Sequence, residues 1–273
     1  MTKSSPTAGF TLIEMAVVMV IMGFVLAGAA SVLSGRASNE AKRLTETRLG
    51  VVNDALTAYY IANNRLPCPA DGSLNASDAN FGRAQPETSG VCNIAAVTGA
   101  EAVIPWRTLG LRETESLDGW SQRLRYVVSG NLTTAGSSLP GDLEMRDGDV
   151  SNPASTQLAA DAAYAVISQG ENGLGAWQGT GIQKPLAGID TDEALNINGS
   201  GTYVDRRFSS LPGDAFDDLV IWRQKTLLSQ ASGASFTGAV CLAANNLSTA
   251  TGCPGGATGD ACTISEAVLA RCI

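Results

Sequence analysis

Between Phe10 and Leu33 the sequence reads FTLIEMAVVMVIMGFVLAGAASVL, two dozen residues with one charge. As an α-helix rising about 1.5 Å per residue, such a run spans the roughly 30 Å hydrocarbon core of a bilayer. It suits a cleaved secretory signal, a plain transmembrane anchor or, least well at this length, a buried core helix. A secretory signal would take Lys3 as its positive region and end at small residues near Ala27, Gly28 and Ala29 or Ala30. Glu14 counts against that reading. A carboxylate in an apolar run costs about 2.5–3.5 kcal/mol at the bilayer centre, less near the edge, and serves nothing in a segment destined for disposal. An acid held at this depth implies a partner for it.

Composition narrows the chemistry further. Histidine is absent from all 273 residues, which removes Ser-His-Asp, Cys-His and His-ligated zinc sites. There is no Gly-x-Ser-x-Gly elbow and no phosphate-binding Gly-x-x-x-x-Gly-Lys-[Ser/Thr] loop, so no enzyme activity is expected. A formal charge of -8 opposes nonspecific attraction to phosphate backbones, and nucleic acid is not an expected partner.

The leader MTKSSPTAG, ending in Gly9 and followed by Phe10-Thr11-Leu12-Ile13-Glu14, resembles the processing site of type IV prepilins and type II secretion pseudopilins. The resemblance implies that a prepilin peptidase of the inner membrane cuts between Gly9 and Phe10 and methylates the new N-terminal Phe10. Glu14 then stands at the fifth mature position and serves assembly with other pilin or pseudopilin subunits. Cleavage frees an α-amino cation at Phe10, and a charge in lipid needs a counter-charge. Glu14, four residues on and on the same helix face, can supply it within a subunit or to a neighbour. Loss of Lys3 with the leader also moves the side-chain charge from -8 to -9.

Beyond the apolar run come Arg36, Lys42, Arg43 and Arg48, and counting positive charges alone would leave this side in the cytoplasm. The cysteines argue otherwise. Cys68, Cys92, Cys241, Cys253, Cys262 and Cys272 all follow the run, an even number suited to disulfides in an oxidising compartment. Without histidine or tight Cys-x-x-Cys pairs, zinc is the lesser alternative. Cys68 with Cys92 is the first expected pair, and the sequence leaves the pairing of the other four open. The expected setting is the inner membrane with the globular part in the periplasm, and later a periplasmic or surface filament raised by an inner-membrane assembly platform.

From Ser38 the pattern turns amphipathic, with Leu44, Val51, Val52, Ala55, Leu56 and Tyr59 returning at steps near four or seven. The helix is expected to continue to Asn63-Asn64, where Pro67 and Pro69 end it. The divisions that follow are a leader (1–9), a transmembrane half-helix (10–33), an amphipathic half-helix (34–63), a globular domain (64–229) and a Cys-rich C-terminal region (230–273). Downstream, IPWRTLGL, DGWSQRLRYVVS, AYAVISQGENG and FDDLVIWRQ resemble the loop and strands of pseudopilin domains. The expected class is α+β, the type IV pilin fold: a long N-terminal helix packed on a small antiparallel sheet. Leu124, Tyr126 and Val128 should share one face, and Leu219 and Ile221 should alternate with Val220 and Trp222. Trp106, Trp120 and Trp222 read as packing residues rather than ligand platforms.

Residues 130–161 and 174–215 are long and rich in Gly, Ser, Thr and Asn, and are expected to be loop insertions. Bulky loops suit a minor subunit better than one repeated throughout a tightly packed shaft. Three acidic groupings offer oxygen ligands for calcium: Asp147-Gly148-Asp149, Asp190-Thr191-Asp192-Glu193 and Asp217-Asp218. None has the spacing of a hand-type loop. Asp217-Asp218 is similar to an acidic pair near the last strand of calcium-binding major pseudopilins, against the plain alternative of a solvated strand end. Asp118-Gly119 and Glu171-Asn172-Gly173 read as turns. The function expected is a structural subunit, of minor type, in a secretion pseudopilus or a type IV pilus. The alternatives are a minor pilin acting in adhesion or uptake at the tip, or an anchored or secreted binding protein that never polymerises.

Overall fold

A computed structural model of the protein describes residues 11–85, 92, 99, 101–148, 154–211 and 214–230, with all side chains among them except those of 26–35. The chain divides into two compact units, residues 1–41 and 42–273. The first helix, α1 (Leu12–Asn63), carries residues of both. Among the described residues no helix is long and apolar enough to cross a membrane. Of the apolar run, only residues 11–25 have described side chains, and the rest of the expected transmembrane half lies outside them.

In the globular unit α1 buries Leu49, Val52, Ala55, Leu56, Tyr59 and Tyr60, the three-and-four spacing of one helix face. Leu44, expected on that face, is exposed, and the neighbouring Thr45 is buried instead. The helix stops through Asn64, whose φ of 50° is left-handed and whose N–H donates to the Tyr60 carbonyl at 2.8 Å. Asparagine tolerates this conformation, and Pro67 and Pro69 cannot continue a helix.

Nine strands follow among the described residues: β1 (Ala70–Asp71), β2 (Ala102–Val103), β3 (Arg125–Val128), β4 (Leu143–Arg146), β5 (Gln157–Ser168), β6 (Thr202–Val204), β7 (Ser209–Leu211), β8 (Asp214–Phe216) and β9 (Leu219–Gln224). Two short α-helices, α2 (Thr191–Asn198) and α3 (Lys225–Gln230), and two 3-10 turns, Glu113–Glu115 and Gly130–Leu132, complete the described elements. Seven strands form the main sheet in the path β1-β2-β3-β5-β4-β6, with β9 also on β5, and β7 and β8 form a separate hairpin. The long β5 organises the sheet. Its residues 164–167 pair with β3, 157–162 with β4, and 162–168 with β9, all antiparallel. The expected antiparallel sheet is thus corrected in one respect, because β4 and β6 run parallel.

Period-two alternation sorts the strands into two cores. Leu124, Tyr126, Val128, Tyr164 and Val166, with Leu219 and Ile221 against them, face α1. Val127, Ala165 and Ile167, with Val220 and Trp222, face away, where Leu143, Met145 and Tyr203 complete a second core. This second core corrects the reading of 130–161 and 174–215 as loops. The first supplies β4 and the start of β5, and the second supplies α2, β6 and the hairpin; Leu143, Met145 and Ala159 from the first and Tyr203 from the second cover apolar side chains that the sheet would otherwise leave wet. Trp222 on β9 donates from Nε1 to Asp205 beside β6 at 3.0 Å, tying the layer down.

Candidate functional site

Two places gather the expected functional residues. The first is the start of α1. The Thr11 Oγ1 accepts from the Glu14 N–H at 3.3 Å, while Glu14 Oε2 accepts from both the Thr11 N–H and its hydroxyl at 2.8 Å. This is a reciprocal capping box, in which Thr11 and Glu14 satisfy donors that a helix start leaves open. Glu14 therefore has a bond partner one turn back. Around it Leu12, Ile13, Val17, Val18, Ile21 and Phe24 are all exposed, so the helix is apolar on every side. A helix of that kind is stable only in lipid or among other helices. Gly9 and Phe10 lie outside the described residues, and with them the expected pairing of the freed amine to Glu14.

The second place is where β9 begins. Carboxylate oxygens of Glu193, Asp217 and Asp218 lie within 4.8 Å of one another. Asp190 caps α2 by accepting from the Asp192 N–H at 3.1 Å, which starts the helix so that Glu193 turns inward and is buried. Glu193 accepts from the Asp217 N–H at 3.0 Å and from the Asn172 amide, while Asp217 Oδ2 accepts from the Asn172 N–H at 2.8 Å. Asn196, one turn along α2, donates to Asp218 Oδ2 at 2.7 Å and exchanges two bonds with Val204 on β6. Gly170 admits the close approach of this chain: at φ 60°, a side chain there would place Cβ 2.2 Å from the Asp217 carbonyl oxygen.

The electrostatics follow from burial. Desolvation pushes the Asp217 carboxyl up to about 6, the Asn172 N–H opposing and the Glu193 charge adding to the rise. Burial also raises Asp218 well above the usual carboxylate range, with Asn196 and Arg125 opposing and Glu193 and Asp217 reinforcing. Asp217 Oδ1 is buried without a hydrogen-bond partner. A cluster of this kind holds its protons tightly or takes up a cation.

The structure separates the three acidic groupings read from the sequence. Asp147 accepts from Thr156, and Asp149 lies outside the described residues. Asp192 pairs with Arg206 at 2.5 Å. Only Glu193 of its grouping joins Asp217 and Asp218, from two dozen residues away. Asn172 and Asn196 were not legible as its supports. Cys68 and Cys92 are joined by a disulfide, with Cα atoms 5.5 Å apart. Cys241, Cys253, Cys262 and Cys272 lie outside the described residues.

Residues 5–30 match the family model of the prokaryotic N-terminal methylation motif. This is the prepilin leader signature of type IV pilins and pseudopilins, so the chain carries a prepilin-type N-terminus. No curated protein and no solved structure matches the chain.

Proposed function

We propose that this chain is a structural subunit, of minor type, of a type II secretion pseudopilus or a type IV pilus. The observation that carries the reading is the N-terminal methylation motif over residues 5–30, continued by a helix whose apolar residues are exposed on all sides. In this reading prepilin peptidase cuts between Gly9 and Phe10 and methylates Phe10. The helix anchors the subunit in the inner membrane, and an assembly platform later transfers it into a filament. Moving from lipid to a bundle of like helices keeps the apolar side chains dry and gives Glu14 a charged partner that hydrocarbon withholds. The layer built by residues 174–215 thickens the globular unit on the face away from α1, which supports a subunit present in few copies.

The exported protein's intact mass tests this. Loss of residues 1–9 with one added methyl is the expected product. Cleavage near Ala30, or none, defeats the reading in favour of a signal peptide or plain anchor.

We further propose that Glu193, Asp217 and Asp218 hold a calcium ion. The donor set fits: all three offer hard carboxylate oxygens, and the buried Asp217 Oδ1 lacks a partner. When bound, the ion supplies charge neutralisation that joins α2 to the start of β9. Thermal unfolding of the full chain in detergent, with calcium against chelator, reads this out. A calcium-dependent rise in Tm that Glu193→Gln abolishes is expected, and equal Tm in both conditions overturns it.

A further inference from the structure

The outer strands of the main sheet are finished differently. β1 has two residues, and β6, with three, is closed by Asn196, which accepts from the Val204 N–H at 2.8 Å and donates to its carbonyl at 3.0 Å. β9 has six residues, pairs along one side with β5, and among the described residues has no strand on its other side. Alternate residues of an antiparallel strand turn their N–H and C=O groups to opposite sides, so about half of the backbone groups of β9 point away from the sheet.

Nothing in β9 itself disarms that edge. Shortness, proline, charge or a bulge ordinarily blunts an edge strand. Leu219-Val220-Ile221-Trp222 has neither proline nor charge, and its register against β5 runs unbroken from Ser168 to Ala165. Arg223 turns back on the strand, its Nη1 donating to the Trp222 carbonyl at 3.1 Å. Leu219 and Ile221 face the α1 side and Val220 and Trp222 the second core, yet all four are only half-buried. Their partners on β5, Ala165, Val166 and Ile167, are fully buried between two strands. A strand on the far side of β9 would complete both cores.

The chain's own continuation starts beside this edge. Leu228 is buried in the α1-facing core, and Lys225 Nζ donates to the Ser137 and Leu139 carbonyls at 2.6 and 2.9 Å, so α3 is fixed where it follows β9. Residues 231–273 lie outside the described residues, and their sequence holds a strand-like run from Phe236 to Leu242. In it Phe236, Val240 and Leu242 alternate with Thr237, Ala239 and Cys241. Further on, Gly252, Pro254, Gly255, Gly256 and Gly259 interrupt any strand, and Thr263-x-x-Glu266 has the spacing of a helix start. α3 carries the chain about 9 Å past β9, and residues 231–235, extended, reach about 16 Å. That suffices to return to the near end of β9 but not to run back along its length of about 20 Å, so a partner built from this run is antiparallel.

We propose that residues 236–242 form a strand antiparallel to β9 and close the open edge of the main sheet. The strand takes up the outward N–H and C=O groups of β9, and its two faces extend the two cores. The Cys-rich region is thereby joined to the sheet by backbone bonds, independently of its disulfides. Closure also removes the template on which a second chain could pair edge to edge.

Hydrogen exchange read amide by amide on the full chain in detergent tests this. Slow exchange is expected at all β9 amides, those bonded to β5 and those facing away. Ala239→Pro and Val240→Pro, made separately, remove adjoining N–H groups, one of which must point at β9. At least one of them should speed the outward amides about tenfold, the local opening of an edge, while the amides bonded to β5 keep the parent's rates. Outward amides that exchange freely in the parent, or that neither proline alters, overturn the proposal. So does protection that rises with protein concentration, which would give the edge to a second copy. Should a proline also loosen the amides bonded to β5, Hα–Hα nuclear Overhauser contacts in the parent between residues 219–224 and 236–242 decide. Their presence upholds the strand, and their absence overturns it.

Discussion

Nη1 of Arg48 on α1 donates to the carbonyl oxygen of Asp118 at 2.7 Å and to that of Leu117 at 3.1 Å. One turn earlier, Thr45 Oγ1 accepts from the Gly119 N–H at 2.8 Å. The turn they hold is rigid from within, because the buried Asp118 carboxylate accepts from the Trp120 N–H, the Gln122 N–H and the Ser168 hydroxyl. Helix, turn and β5 are thus one bonded unit. Removing a charged donor leaves two half-buried carbonyls unpaired, so Arg48→Ala should cost about 1.5–3 kcal/mol. Urea unfolding measures it. The exposed Glu46→Ala on the same helix should stay within about 0.5 kcal/mol, and an Arg48→Ala value as small would refute the tie.

The Cys68–Cys92 disulfide closes a loop of 24 residues' separation onto the α1-facing core, where both half-cystines are buried. Loop-closure entropy puts its contribution at about 3 kcal/mol. The double variant Cys68→Ala with Cys92→Ala should lose that much in denaturant unfolding. Because it leaves the four later cysteines intact, its effect isolates this bond from the rest. A loss under about 1 kcal/mol would mean that the loop is already held by the bonds of its neighbours.

The acidic cluster makes stability depend on pH in a stated direction. The folded Asp217 carboxyl titrates at about 6, above its ordinary 3.8, so the folded state holds this proton more tightly than the unfolded one. The resulting stability is fully present below about 3.8 and is lost as pH rises through about 6. Asp217→Asn, which cannot ionise, should gain Tm relative to the parent at pH 7.5 and not at pH 4, measured in chelator. Adding calcium at pH 7.5 should close the gap by stabilising the parent. A Tm difference identical at both pH values would show that Asp217 does not titrate with folding.

Much of the frame was legible because it rests on periodicity and on residues with few conformational options. The alternation of Tyr126, Val128, Tyr164 and Val166 against Val127, Ala165 and Ile167 assigns the sheet's two faces. Asn63-Asn64 before two prolines marks the end of α1. Composition misled where folding depends on distant partners. Residues 174–215 look like loop because their Gly, Ser and Asn content is high, yet Asn196 bonds β6 and Asp218 together, and Tyr203 fills the second core. Asp118-Gly119 reads as an ordinary turn, and nothing local announces that Arg48 and Ser168 will close on it. In the acidic cluster Asp217 and Asp218 were visible as a pair. Glu193 was hidden among acids that the structure sends elsewhere, Asp190 to a helix cap and Asp192 to Arg206.

The Thr11–Glu14 box separates two roles for one carboxylate. Its side chain serves as a cap through Oε2, a task that glutamine also performs, whereas pairing with the freed Phe10 amine requires negative charge. Glu14→Gln should therefore preserve the first helical turn and membrane insertion, yet fail to enter filaments. Thr11→Ser keeps the cap hydroxyl and should assemble normally. Thr11→Ala loses the hydroxyl at a cost of about 1 kcal/mol to the helix start, and should assemble with reduced yield while its Glu14 charge remains. Fractionation of sheared filaments against membranes, with anti-subunit detection, reads all three. Efficient incorporation of Glu14→Gln would assign the residue to capping alone. The charge would then have no part in drawing the helix out of lipid.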